Sequence, residues 1–185
     1  MVLVGCDPSY KRTGLAMYKD GVIYIRNLKV ESNADKSFQR VWEDAEEQSL
    51  AIVSMMLRTV GRVDQMLSEC PPPQGTFSPG LYALDSLLFS KSKGYVNSLK
   101  VVYPNYVGHV HGKRKYQKSE SVELALRILD KLKNNVKVDM QSKRISHDES
   151  EALIFLCRLF VINNMFKEEL LEWIGLFSEK EKVLY

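Results

Sequence analysis

Residues 2–16 read VLVGCDPSYKRTGLA, and this stretch decides the fold. Val2, Leu3 and Val4 are strand formers that run into an acid, Asp7, where Pro8 and Ser9 break the run and Gly14 starts a return segment. A carboxylate at the end of an apolar strand has two explanations. It accepts hydrogen bonds from loop amides, or it belongs to a site completed by distant parts of the chain.

The next segments extend a sheet. TGLAMY and VIYIRNLKV are β-rich and are separated by Lys19, Asp20 and Gly21, an Asp-Gly hairpin signal, so the chain starts as three antiparallel strands. From Lys36 to Val60, Phe38, Trp42, Ala45, Leu50, Ile52, Val53, Met56, Leu57 and Val60 recur at mostly three- and four-residue steps, which predicts a helix packed on that sheet. Gly61 closes the helix. RVDQMLSE then reads as a strand ending in an acid, Glu69, followed by Cys70 and three prolines. The opening pattern recurs there.

After the loop PPPQGTFSPG, LYALDSLLFSKSK reads as a helix, LKVVYP as a strand, YVGHVHGKRKYQK as a basic loop, and SESVELALRILDKLK as an amphipathic helix. ISHDESEALIFLCRLFVINNMF is a long apolar helix whose start is set by Ser146 and Glu149 at capping-box spacing. A short amphipathic segment, FKEELLEWIGLF, and a charged tail follow. This order predicts an α/β fold: a mixed sheet of about five strands, the first three antiparallel, flanked by helices on both faces. Residues 1–185 form one domain, with 167–185 a helical extension and tail.

Composition sets bounds without choosing a function. The 185 residues are 45% hydrophobic and 26% charged, which fits a globular domain and excludes disorder. A net charge of +3 is too mild to decide on a nucleic-acid partner. Cys6, Cys70 and Cys157 are odd in number and lack CxxC spacing, which argues for free thiols and against zinc. No stretch approaches the ~18 apolar residues of a membrane span and the start is unlike a signal peptide, so a cytoplasmic protein is expected, without a membrane.

Four acids carry the chemical interest. With Ser146 as cap, Asp148 and Glu151 fall three residues apart on one helix face, a face continued by Ala152, Phe155, Leu159 and Ile162. Acids in a first turn also interact favourably with the helix dipole, by about 0.3–1 kcal/mol, which is the plainer reading of Asp148 and Glu149. Strand-end acids and a helical pair pointing at one sheet edge, however, concentrate like charges that raise each other's pKa. Cations relieve that cost. An all-oxygen ligand set suits Mg²⁺ or Mn²⁺, and two such ions about 3.5–4 Å apart suit phosphodiester cleavage. Cys6 and Cys70 neighbour acids but point to opposite faces of their strands, so they read as core thiols.

These residues resemble the RuvC-type Holliday-junction resolvases of the RNase H-like, or retroviral-integrase, nuclease superfamily, over most of the chain. GCDPSYKRTGLA resembles that family's G-x-D-P-S-x-x-x-T-G-x-A motif, which implies that Asp7 is a metal ligand. RVDQMLSE resembles its second acidic strand and HDESEA its terminal helix motif, which gives Glu69, Asp148 and Glu151 the same role, with His147 assisting. VVYPNYVGHVHGKRKYQKSESVELAL is similar to the family's basic loop and helix, whose DNA-contacting lysine matches Lys118.

The resemblance implies a metal-dependent, structure-selective endonuclease, using two Mg²⁺ or Mn²⁺ ions per site and no small-molecule cofactor. It also implies a homodimer that nicks opposing strands of a four-way junction and leaves 5′-phosphate and 3′-hydroxyl ends. Glu151 departs from the aspartate usual in cellular members, and the PPPQGTFSPG loop looks more like phage or other viral members, for which the location becomes the host cytoplasm.

For DNA contact, the sequence offers Lys113, Arg114, Lys115 and Lys118 as phosphate-neutralising groups, Lys91 and Lys93 at a helix end, and Phe77 as a base-stacking residue. A solvated loop, a helix-dipole role and packing under its own loop are the respective plainer readings. Leu81, Leu84, Leu87, Leu88, Tyr82 and Phe89 give the helix after the proline loop more apolar surface than one face needs, by analogy a dimer element. A two-lobed sugar-kinase or actin-like ATPase is disfavoured because glycine-rich phosphate loops are missing. A YqgF-type protein acting on RNA carries D-x-G in place of D-P-S, and a module that binds branched DNA without cutting it stays open.

Overall fold

A computed structural model of the chain describes residues 1–9, 12–29, 37–69, 79–102 and 117–178. Phe77, Lys113, Arg114, Lys115 and Cys70 lie outside those residues.

The start of the chain is the expected antiparallel trio: β1 (Leu3–Asp7), β2 (Arg12–Lys19) and β3 (Val22–Lys29). Asp20 and Gly21 join β2 to β3 with φ of 48° and 80°, the two left-handed residues that a tight hairpin matching the strand twist requires. Helix α1 (Phe38–Thr59) follows, capped by Ser37, whose side chain accepts from the Arg40 amide. Gly61, at φ 82°, donates to the Met56 and Leu57 carbonyls and ends it. The chain continues as β4 (Val63–Glu69), α2 (Pro79–Ser92), β5 (Val96–Val102), α3 (Lys118–Leu132), β6 (Lys137–Met140) and α4 (His147–Ile162). A 3₁₀ turn (Leu171–Trp173) and α5 (Ile174–Ser178) stand where the sequence pattern predicts one amphipathic segment.

The sheet order is β5-β4-β1-β2-β3-β6, with β1, β4 and β5 mutually parallel. The sixth strand, β6, pairs parallel with β3 at the far edge and exceeds the five that the sequence pattern predicts. Its four residues, KVDM, are all exposed or half-buried, so they carry no alternation of buried apolar positions to read.

Each sheet face has its own core. Val4, Cys6, Leu15, Met17 and Met66 pack under α1 and α2, with Ile52, Met56, Leu84 and Leu88. Leu3, Ala16, Ile23, Ile25 and Leu67 pack under α3 and α4, with Ile128, Leu153, Phe155 and Phe160. The C-terminal segment joins this second core through Leu170, Trp173 and Phe177. Cys6 and Cys157 are buried free thiols, as core cysteines should be. No helix among the described residues is long and apolar enough to cross a membrane.

Two stripes differ from the periodicity reading. On α1 the buried face runs through Ala45, Gln48, Ser49, Ile52, Val53 and Met56, while Phe38, Trp42 and Leu50 are exposed. The polar residues of that buried face hide its register from an apolar pattern. On α4 every residue from Glu149 to Val161 is buried, and Ile162 is exposed where the predicted stripe continues. A helix enclosed on all sides has little periodicity to show.

Candidate metal centre

Alternation along the strands decides which acids meet. Leu3, Gly5 and Asp7 share the face under α4, so Asp7 points away from Cys6 and toward the start of that helix. On the neighbouring parallel strand, Leu67 lies on the same face, and so therefore does Glu69. Ser146 accepts from the Glu149 amide and the Glu149 carboxylate accepts from the Ser146 amide at 2.7 Å, so the capping box forms as read. This uses Glu149 and fixes the first turn of α4, which sends Asp148 and Glu151 toward the sheet.

Carboxylate oxygens of Asp7, Glu69 and Glu151 all lie within 4.8 Å of one another. They come from β1, β4 and α4. Asp7 and Glu151 are 7% and 6% exposed, and Glu69 is half-buried. Burial, then the charges of Glu151, Glu69 and Asp148, hold the Asp7 carboxyl well above the usual carboxylate range. Asp148, half-buried, thus contributes its charge to the cluster while standing outside the closest group of three. His147 Nε2 lies 3.4 Å from Glu151 Oε1.

The close docking of α4 depends on two glycines. A Cβ on Gly14 falls 2.0 Å from the Asp148 carbonyl oxygen and 2.6 Å from the Glu149 nitrogen. A Cβ on Gly5 falls 2.1 Å from the Ala152 oxygen and 2.6 Å from the Leu156 nitrogen. The helix backbone therefore rests directly on β1 and β2, and Gly14 is the register partner of Asp7. Glycine inside a strand is the available sequence signal for such an approach, and Gly5 and Gly14 flank Asp7 in the quoted stretch.

Ser9, two residues past Asp7, is tied from the other face. Gln48 Nε2 donates to Thr13 Oγ1 at 2.7 Å, and Thr13 Oγ1 in turn donates to the Ser9 carbonyl at 3.3 Å. Gln48 and Thr13 are fully buried. This polar strap ties α1 to β2 on the face opposite the acid cluster.

The cavity of about 280 Å³ lined by Ser68, Asp85, Phe89 and Leu99 lies on the α2 side of the sheet, apart from the acids. The acid cluster belongs to the opposite face.

No family model matches the chain, and no curated protein matches it. Solved structures do. Thermus thermophilus RuvC in complex with a Holliday junction substrate superposes with a TM-score of 0.57 at 15% identity, covering 89% of this chain and 96% of that one. The chain has the RNase H-like fold of RuvC. A second T. thermophilus RuvC structure matches with a TM-score of 0.52 at 17% identity, over 89% and 96% of the two chains. The human cytomegalovirus terminase nuclease domain aligns over 97% and 84% of the two chains at 15% identity, with a TM-score of 0.42.

Within that fold, the DNA-contact candidates are unequal. Lys118 opens α3 and is exposed. Lys91 is bound to Glu46 at 2.9 Å and Lys93 lies over the Phe89 ring at 5.5 Å. Both sit at the end of α2 that leads into β5, the end of the sheet away from Asp7. A lysine already paired with a carboxylate has less to offer a phosphate.

Proposed function

We propose that the protein is a metal-dependent endonuclease that resolves four-way or other branched DNA junctions by paired symmetric nicks. The observation that carries this reading is the convergence of Asp7, Glu69 and Glu151 within 4.8 Å, on the fold of RuvC, which has been captured on a Holliday junction.

The donor set fits a hard divalent cation such as Mg²⁺ or Mn²⁺. All three groups are carboxylates, and their mutual repulsion is a cost that bound positive charge removes. In this reading Asp7, Glu69 and Glu151 hold the metal, and Asp148 adds a ligand or negative potential beside them. A bound cation, or a pair, supplies a Lewis acid for the phosphate and lowers the pKa of the attacking water.

The chain's own contributions are positional. The capping box and the two glycines set α4 so that Glu151 reaches the strand-borne acids. The Gln48–Thr13–Ser9 strap holds Ser9, two residues past Asp7, to β2 and α1. In this reading His147, 3.4 Å from Glu151, takes or returns a proton. In the reaction, a water oxygen bonds to phosphorus, the P–O3′ bond breaks, and the O3′ atom takes up a proton. The products carry 5′-phosphate and 3′-hydroxyl ends.

Symmetric nicking calls for two sites, so the reading includes a homodimer. The exposed Tyr82 and Phe89 on α2 support that surface as the contact. The test is a labelled synthetic four-way junction with Mg²⁺ or Mn²⁺. Paired nicks on opposing strands are expected; binding without nicking overturns the enzyme, and nicking of single-stranded or linear duplex DNA alone overturns the junction selectivity.

A further inference from the structure

Several described basic side chains are held in ion pairs: Arg40 with Glu43 and Asp44, Lys91 with Glu46, Arg127 and Lys131 with Glu172, and Lys133 with Asp130. Arg26 is likewise held by Asp139. Four cations stand near the acid cluster. Arg12, Lys29, Lys143 and Arg144 are exposed, and none has an ion-pair partner among the described residues.

Their placement follows from strand register. Asp7, Gly14 and Asn27 form one row across β1, β2 and β3, and Arg12 with Lys29 forms the next row outward. Gly14 faces α4, so by alternation Arg12 and Lys29 stand on that same face, the face of the acids. Two interstrand steps and two residue rises put the Lys29 Cα roughly 12 Å from that of Asp7.

Lys143 and Arg144 lie in the connection from β6 to α4, and that connection is pinned to β3. The Gln141 amide donates to the Ile25 carbonyl, the Asn27 amide donates to Gln141 Oε1, and Asn27 Nδ2 donates to Ser146 Oγ. The two bases are therefore displayed beside the first turn of α4.

We propose that Arg12, Lys29, Lys143 and Arg144 form a phosphate-binding track that carries the DNA strand across the β2–β3–β6 side of the metal centre. The inference rests on the nuclease reading and adds to it a surface beside the metal centre. Uncompensated positive charge on the metal face is what a polyanion requires, the more so beside a cluster of carboxylates that repels it. The exposed, flexible side chains fit sequence-independent contact with the backbone.

The test measures junction binding against salt concentration in the Asp7→Asn background, which binds without cutting on the proposed mechanism. Two double variants are compared with it, Arg12→Gln with Lys29→Gln and Lys143→Gln with Arg144→Gln. The control is Arg58→Gln with Lys137→Gln, exposed bases at the opposite end of the sheet. Each track pair is expected to flatten the slope of log K against log salt by about 1.8, at about 0.9 for each duplex phosphate that is no longer neutralised. The control is expected to leave the slope within error. Unchanged slopes in both track variants, or an equal change in the control, overturn the track while leaving the nuclease reading standing. Failure of the parent protein to bind any DNA overturns both.

Discussion

Gly14→Ala is the substitution that best separates site geometry from stability. Its new Cβ falls 2.0 Å from the Asp148 carbonyl oxygen, whereas ordinary contact begins at 3.4 Å, so the helix start and the strand must part by about 1.4 Å. The obstacle is backbone, and no rotamer change relieves it. Overpacking of this kind costs about 1–3 kcal/mol. The displaced turn carries Asp148 and lies one turn from Glu151, and a 1 Å misplacement at a reacting centre costs on the order of 10²-fold in rate. Gly14→Ala is therefore expected to lose about 100-fold in nicking and to weaken Mn²⁺ binding by calorimetry. Gly21→Ala is the comparator: nothing lies within 4 Å of its Cβ, but its φ of +80° strains any L residue. It should lower the melting temperature and leave metal affinity intact. Wild-type nicking and Mn²⁺ affinity in Gly14→Ala would refute the argument that backbone contact sets the site.

Further outcomes follow from the charges and caps. The folded Asp7 carboxyl keeps its proton to higher pH than the unfolded one, so without metal the folded state binds more protons above the ordinary carboxylate range. Stability must then fall as pH rises through that window, and Asp7→Asn should flatten the fall and melt higher than wild type near neutral pH in EDTA. Parallel melting curves against pH in the two proteins would remove the buried-charge cost. Glu149→Gln and Glu151→Gln should part company: the first weakens the capping box, at about 1 kcal/mol, and keeps metal binding, while the second loses the metal. Equal metal affinities, measured by calorimetry, would contradict the division of labour on α4. Gln48→Leu should reduce nicking several-fold with only a small change in melting temperature, because it unties Thr13 and Ser9 on the far face from the acids. An unaltered rate would make the strap structural only.

The strand-end acids are legible in the sequence because strand alternation and turn residues are local. Asp7 and Glu69 each end a strand segment, and the parallel pairing of β1 with β4 brings them together. The capping box likewise marks the start of α4 to within a residue, which separates Glu149 from Asp148 and Glu151. What cannot be read is tertiary. That α4 lies on the sheet through Gly5 and Gly14 depends on contact between segments more than a hundred residues apart. The exposure of Phe38 and Trp42 depends on Gln48 and Ser49 being buried, against their polarity. The placement of Arg12 and Lys29 beside Lys143 and Arg144 depends on β6, whose four residues carry no apolar pattern.

The central claim is that Asp7, Glu69 and Glu151 hold a catalytic cation. Crystals soaked in Mn²⁺ and measured at its absorption edge test it directly. One or two anomalous peaks bounded by those three carboxylates are expected, lost in Asp7→Asn. A fully soaked crystal with no peak there, or a peak ligated by other residues, would contradict it.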